Sequence, residues 1–209
     1  MLKRQCDRTL GAPPIPHALK LELFAHRYYY GIVEASGHRL QNKTQANGGR
    51  TQYVWPATSS DNYCCWPKHP LAYNGSLPEL APGALLAIPP SVADSVRTTT
   101  DLGGKIKQAL VDYGGYIVDD TASDSAAVIF EHAAEAEVGR LYNITLATSS
   151  GPWYADLLAI FQALHVVANN AAAAVGGGGR PRAPLAPPIC GSADGPAGAS
   201  SPSPPVCNA

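Results

Sequence analysis

The sequence predicts an α+β fold: a mostly antiparallel sheet or sandwich, two helices packed on it, and a Pro/Gly-rich C-terminal tail. Three observations predict it. His17, Leu19, Leu21, Leu23 and Ala25 alternate with Lys20, Glu22 and His26, the period of a half-buried antiparallel strand. Ile106, Ala109, Leu110 and Tyr113 stand at i, i+3, i+4 and i+7 ahead of Gly114-Gly115, a helix with a left-handed C-terminal cap. After Pro152, the residues Tyr154, Leu157, Leu158, Phe161, Leu164 and Ala168 form one stripe of a final helix, ended by Asn169-Asn170.

Taken in order, residues 1–16 are polar and Pro-rich, with no periodic pattern. The first strand starts at His17, and Tyr28-Tyr29-Tyr30 extends it. Residues 34–50 read as a polar loop, and Tyr53-Val54-Trp55 as a short strand stopped by Pro56. After an irregular stretch over 58–82, Ala84 to Ile88 suits a buried strand closed by Pro89-Pro90. The Ile106 helix is followed by a strand, Tyr116-Ile117-Val118, that ends in Asp119-Asp120. Ala126 to Phe130 is a further strand, and an acidic helical turn runs on through Val138. Residues 17–170 thus form a β-rich body, and 171–209 a low-complexity tail.

Among 209 residues, 45% are hydrophobic and 15% charged, enough apolar material for a sizeable core and too much for wholesale disorder. The net charge of -1 offers no broad footprint for nucleic acid or an anionic membrane surface. No segment is long and apolar enough for a membrane span. Met1-Leu2-Lys3-Arg4 lacks the apolar run that should follow in a signal peptide, so the chain is either cytosolic or a part of a longer secreted precursor. Asn42-Lys43-Thr44, Asn74-Gly75-Ser76 and Asn143-Ile144-Thr145 favour the second, being three N-glycosylation acceptors where chance gives roughly one. The tail segment Ser201-Pro202-Ser203-Pro204-Pro205, of the composition of extended extracellular stalks, points the same way, and five cysteines leave one unpaired if the others are bridged. Cys190 and Cys207 could close the tail as a loop, whereas Cys64 and Cys65 are adjacent and are expected to pair elsewhere, Cys6 among the candidates.

Three motifs resemble a known pattern: His17-Ala18-Leu19-Lys20-Leu21, Trp55-Pro56-Ala57, and Ala109 to Asp120, which reads ALVDYGGYIVDD. They are similar to those of a family of large, mostly uncharacterised secreted proteins of bacteria and eukaryotic microbes. That pattern runs R-H-A-L-R-F, W-P-A-R-H, A-L-K-x-Y-G-x-x-V-A-D-N. The likeness spans residues 17–130, with Pro82-Gly83-Ala84-Leu85-Leu86 where the family has P-M-G-x-x-x-R-L. It implies an extracellular β-rich domain of which this chain is the C-terminal part, and no established activity. Thr58-Ser59 replaces the family's Arg-His, and Asp120 its Asn, so a catalytic histidine at that first place is lost here.

Three constellations carry chemistry. Asp119, Asp120 and Asp124 cluster at a strand end, where carboxylates can serve glycoside hydrolysis, ligate calcium, or simply cap the strand. His17, expected on the buried face and neutral, would act as general base beside Asp119 or Asp120, or else be a hydrogen-bonded core histidine. His165 is expected to pack on the last helix. Tyr28, Tyr30, Tyr53, Tyr63 and Trp66, with Tyr29 and Trp55, crowd the first third of the chain, divided evenly between sugar-stacking platforms and core filling, the latter expected of Trp55 in particular. No spaced Cys/His metal set occurs, the Gly176–Gly179 run lacks the G-K-[ST] of a phosphate cradle, and no cofactor is expected. The sequence therefore points to a secreted or cell-surface module that binds a polysaccharide or cell-wall glycan through aromatic-bearing loops. The alternatives are a carbohydrate-active hydrolase or lyase using His17 with Asp119/Asp120, and an incomplete domain without independent function.

Overall fold

The computed structural model describes residues 14–31, 52–61, 63–65 and 69–177. Strands β1 (Leu19–Leu23), β2 (Leu85–Ala87), β3 (Gly115–Asp120), β4 (Ala126–Val128) and β5 (His165–Val166) form one sheet in the order β4-β1-β3-β2-β5. β1 and β3 run parallel and the other three pairings are antiparallel, so the fold is α+β with a mostly antiparallel sheet. The alternation read around Leu19 holds within the strand. Leu19, Leu21 and Leu23 face a core that also contains Ile106, Leu110, Ile117 and Ile160. Each such fully buried Leu or Ile contributes roughly 1.5–3 kcal/mol by leaving water.

The ends of that predicted strand differ. His17 lies outside β1, exposed, and its Nδ1 donates to the Ala18 carbonyl at 3.0 Å. Ala25 opens a short helix, α1 (Ala25–Tyr28), so the tyrosine run does not extend the strand. The turn carries Tyr29 into the core, where it packs edge-on against Tyr73 with ring centroids 5.2 Å apart. Tyr53-Val54-Trp55 is likewise no strand. Val54 N donates to Pro82 O and Ala57 N to Val54 O, turning the chain where a ladder would have kept it straight.

Two longer helices cover the sheet. In α3 (Asp101–Asp112), Thr100 is the N-cap and its hydroxyl accepts from Gly103 N. The C-terminus of α3 closes through Gly114, at φ +73, where a Cβ would lie 2.6 Å from Leu86 O. α5 (Gly151–Gln162) buries Trp153, Asp156 and Ile160. Its buried stripe is therefore rotated from the predicted one, leaving Leu158 45% exposed. It also stops earlier than predicted. His165 stands on β5, exposed, because Leu86 and Ala87 of β2 offer it and Val166 a ladder, and sheet pairing overrides a helical continuation. Two shorter helices, α2 (Pro90–Ala93) and α4 (Ala134–Tyr142), and a 3-10 turn over Val175–Gly177 complete the described elements. No helix among the described residues is long and apolar enough to cross a membrane.

Cys64 and Cys65 do not pair elsewhere: their sulfurs are joined to one another. Both are buried members of the turn over residues 63–65, and among the described residues each has the other as its one cysteine neighbour. Cys6, Cys190 and Cys207 lie outside the described residues.

Candidate functional site

Two places gather chemistry. The first stands at the C-terminal end of β3. The β1–β3 register shifts between Leu21 and Glu22, so that Leu21 faces Ile117 and Glu22 faces Asp119, with Val118 as the additional residue. Strict alternation from Gly115 and Ile117 would have turned Asp119 into the core. The bulge leaves Val118 and Asp119 exposed and Asp120 half-buried, re-aiming two carboxylates that the core could not accept. Asp61 joins them from the turn before the cysteines, and carboxylate oxygens of Asp61, Asp119 and Asp120 lie within 4.8 Å of one another.

Three tyrosines fix this cluster. The Tyr73 hydroxyl donates to Asp61 Oδ2 at 2.5 Å, and that of Tyr29 to Asp119 O. Tyr63, stacked on His69 with centroids 4.8 Å apart, hydrogen-bonds the Asp120 carboxylate. Burial pushes the Asp120 carboxyl above its ordinary value, against the Tyr63 bond, and the charges of Asp61 and Asp119 push it further. Burial and the charges of Asp119 and Asp120 raise Glu22 in the same direction. Asp120 Oδ2 is enclosed and has no partner among the described residues. Oxygens in this arrangement suit proton sharing, or a hard cation held by Asp61, Asp119 and Asp120. Asp124, expected in this group, points elsewhere and pairs with Arg27 at 2.6 Å. His17 is not brought here either. Asp120 sits opposite Leu23, six residues along β1 from His17, a separation of roughly 20 Å at the rise of a strand. The pairing of His17 with Asp119 or Asp120 within 6–10 Å of each other, roughly the reach hydrolysis demands, is therefore absent.

The second place is an open groove of ≈ 530 Å³ lined by Tyr30, Tyr53, Trp55, Glu79, Val166 and Asn170, among others. Its floor is the β2–β5 pair, extended by Val167 N donating to Leu85 O at 2.9 Å. One wall is Trp55, 37% exposed, whose peptide bond to Pro56 is cis. The Asn170 side chain holds this wall: Nδ2 donates to Trp55 O at 3.5 Å, while Oδ1 accepts from Gly176 N and the Tyr116 hydroxyl. Tyr30 is set by a parallel bridge to Gly75, in which Gly75 N donates to Tyr29 O at 2.7 Å and Gly31 N to Gly75 O at 3.0 Å. A Cβ on Gly75 would sit 2.2 Å from Tyr28 O, so the close approach of the two chains requires glycine there.

Of the aromatic residues expected at a ligand surface, Tyr30 and Tyr53 line this groove. Trp55, the ring most expected to fill the core, is instead partly exposed and lines it too. Tyr28 lies under the Arg27 guanidinium, 5.3 Å from its ring centroid, and Tyr63 serves the carboxylates. Trp66 and Asn42 lie outside the described residues, whereas Asn74 and Asn143 are exposed. The sequence did not single out Asp61, Tyr73, Glu79 or Asn170. Asp61 is 58 positions from Asp119, and no spacing links them; the one nearby signal is the density of Tyr and Cys around it. Comparison with protein-family models, with curated proteins and with solved structures gives no match.

Proposed function

We propose that this protein is a secreted or cell-surface carbohydrate-binding module whose ligand, a polysaccharide or cell-wall glycan, lies in the Tyr30/Tyr53/Trp55 groove. The observation that carries this reading is the convergence of those three rings on one open groove. A flat ring covers the apolar face of a pyranose, while carbonyl and carboxylate oxygens at the rim take up its hydroxyl protons. An open surface suits a chain-like ligand better than a small metabolite, which is normally enclosed. The exposed acceptor asparagines Asn74 and Asn143 support an extracellular setting.

Binding outranks hydrolysis as the reading because Asp61, Asp119 and Asp120 do not line the groove, so a saccharide stacked on Trp55 has no carboxylate pair across its glycosidic bond. Depletion assays against insoluble polysaccharides, with a glycan array in parallel, test the proposal. Wild-type protein is expected to bind at least one β-linked polymer, and Trp55→Ala to lower the affinity about tenfold or more with an unchanged melting curve. Absence of binding across the panel, or full affinity in Trp55→Ala, would overturn it.

A further inference from the structure

We propose that the groove selects saccharides carrying free amino groups, with Glu79 as the residue that sets this preference; the proposal rests on the carbohydrate reading and narrows it. Glu79 is exposed at a turn on the groove rim, its carboxylate the one charged side chain among the lining residues. It takes part in neither of the two ion pairs found among the described residues. Among the described residues no Lys, Arg or His lines the groove, so a uronate or a sulfated sugar would bring its negative charge to Glu79 and to carbonyl oxygens.

An ammonium meets the opposite situation. The carboxylate accepts its protons in charge-assisted hydrogen bonds. The π-faces of Trp55, Tyr53 and Tyr30 add their attraction for a cation held over them. Aromatic residues and a single carboxylate among the described lining of one groove are the combination expected of a site for a protonated amine on an otherwise apolar ring. A glucosamine-type residue combines those two features, an apolar pyranose face and a cationic substituent at its edge. The preference it gives is electrostatic, and it weakens as salt screens the exposed pair.

Calorimetric titration of the full chain at mildly acid pH tests this, using fully deacetylated glucosamine oligomers, N-acetylglucosamine oligomers of equal length, and galacturonate oligomers. The glucosamine oligomer is expected to bind about fivefold to tenfold more tightly than its N-acetyl counterpart at low salt, and the galacturonate oligomer not at all. Glu79→Gln, on an exposed side chain, is expected to abolish that difference, chiefly by loss of glucosamine affinity, with any smaller loss of sugar-hydroxyl bonding shared by both oligomers. Equal affinity for the aminated and acetylated oligomers, an undiminished preference in Glu79→Gln, or tight binding of the uronate overturns the amine selection and leaves the carbohydrate reading standing. Failure of all three oligomers and of neutral glucans to bind overturns both.

Discussion

Both donors of Thr100, its amide and its hydroxyl, end on Oδ2 of Asp156, at 2.8 and 2.6 Å. Thr99 gives the same two groups to Oδ1, so one carboxylate, 2% exposed, joins the N-terminus of α3 to the middle of α5. The two helices that cover the sheet are thereby locked to each other by a fully satisfied buried charge. α5 in turn leads within three residues into β5, which is part of the groove floor.

Burial alone would raise the Asp156 carboxyl, but the bonds from Thr100 and Thr99 outweigh it and hold the group below its ordinary value of 3.8. A depressed carboxylate contributes stability above its unfolded-state pKa and loses it as pH falls through the folded one. Asp156→Asn puts an amide donor against two donors of Thr100 or Thr99 and is expected to cost about 2–4 kcal/mol at neutral pH. Urea unfolding at pH 7 and again below pH 4 checks it: the gap between wild type and variant is expected to narrow at the acid end.

Gly103 lies on the face of α3 turned to the same carboxylate, and a Cβ there would meet Asp156 Oδ2 at 2.3 Å. Alanine is the better helix former by about 1 kcal/mol, yet Gly103→Ala is expected to destabilise by about 1–3 kcal/mol because the clash wins. In an Asp156→Ala background the clash with the carboxylate is gone and only the 2.9 Å approach to the Cβ of residue 156 remains, so the penalty should shrink, which a double-mutant cycle reads directly. Additive effects would show that the clash is not what glycine avoids.

The strands and helices that bury one clear stripe were legible in the sequence. Leu19, Leu21 and Leu23, the Ile106–Leu110 face, and Ile117 keep the period that burial imposes. Elements set by partners far along the chain were not. Nothing local tells His165-Val166 to leave a helix, since the ladder that captures them is β2, some 80 positions away. The bulge at Val118 is equally silent, because it appears only when β1 and β3 are aligned. For the same reason the acidic residues at the end of β3 were visible as a pair, while their third member, Asp61, was not. The aromatic crowding did flag the groove, but which rings face out depends on turns anchored by Pro82 O and by Gly75.

Asp120 carries the opposite pH signature from Asp156. Its folded pKa is raised, by burial first and by Asp61 and Asp119 next, so its ionisation opposes folding as pH rises through that value. Asp120→Asn keeps an oxygen to accept from Tyr63 and removes the repulsion. In buffer containing a chelator, so that no adventitious cation neutralises the cluster, the variant is expected to gain a few tenths of a kcal/mol at pH 7. That figure is small because the group is only half-buried and solvent screens its charge. The gain should disappear below pH 4, where the wild-type carboxyl is protonated. A melting temperature that drops at pH 7 would mean that the three carboxylates are not in conflict.

Gly75 links backbone geometry to the groove most directly. Its amide and carbonyl bond Tyr29 O and Gly31 N, and the missing Cβ lets the two chains approach closely beside Tyr28 and Tyr29, whose carbonyl oxygens a methyl would meet at 2.2 and 2.9 Å. Gly75→Ala must open that bridge, at a cost of about 1–3 kcal/mol, and Tyr30 moves with it. Saccharide affinity is therefore expected to fall along with the melting temperature. Ser76→Ala, at the exposed neighbouring position, removes the Asn74 glycosylation acceptor and is expected to leave both unchanged. Retention of full affinity by a folded but destabilised Gly75→Ala protein would take Tyr30 out of the stacking platform and leave Trp55 and Tyr53 to form it alone.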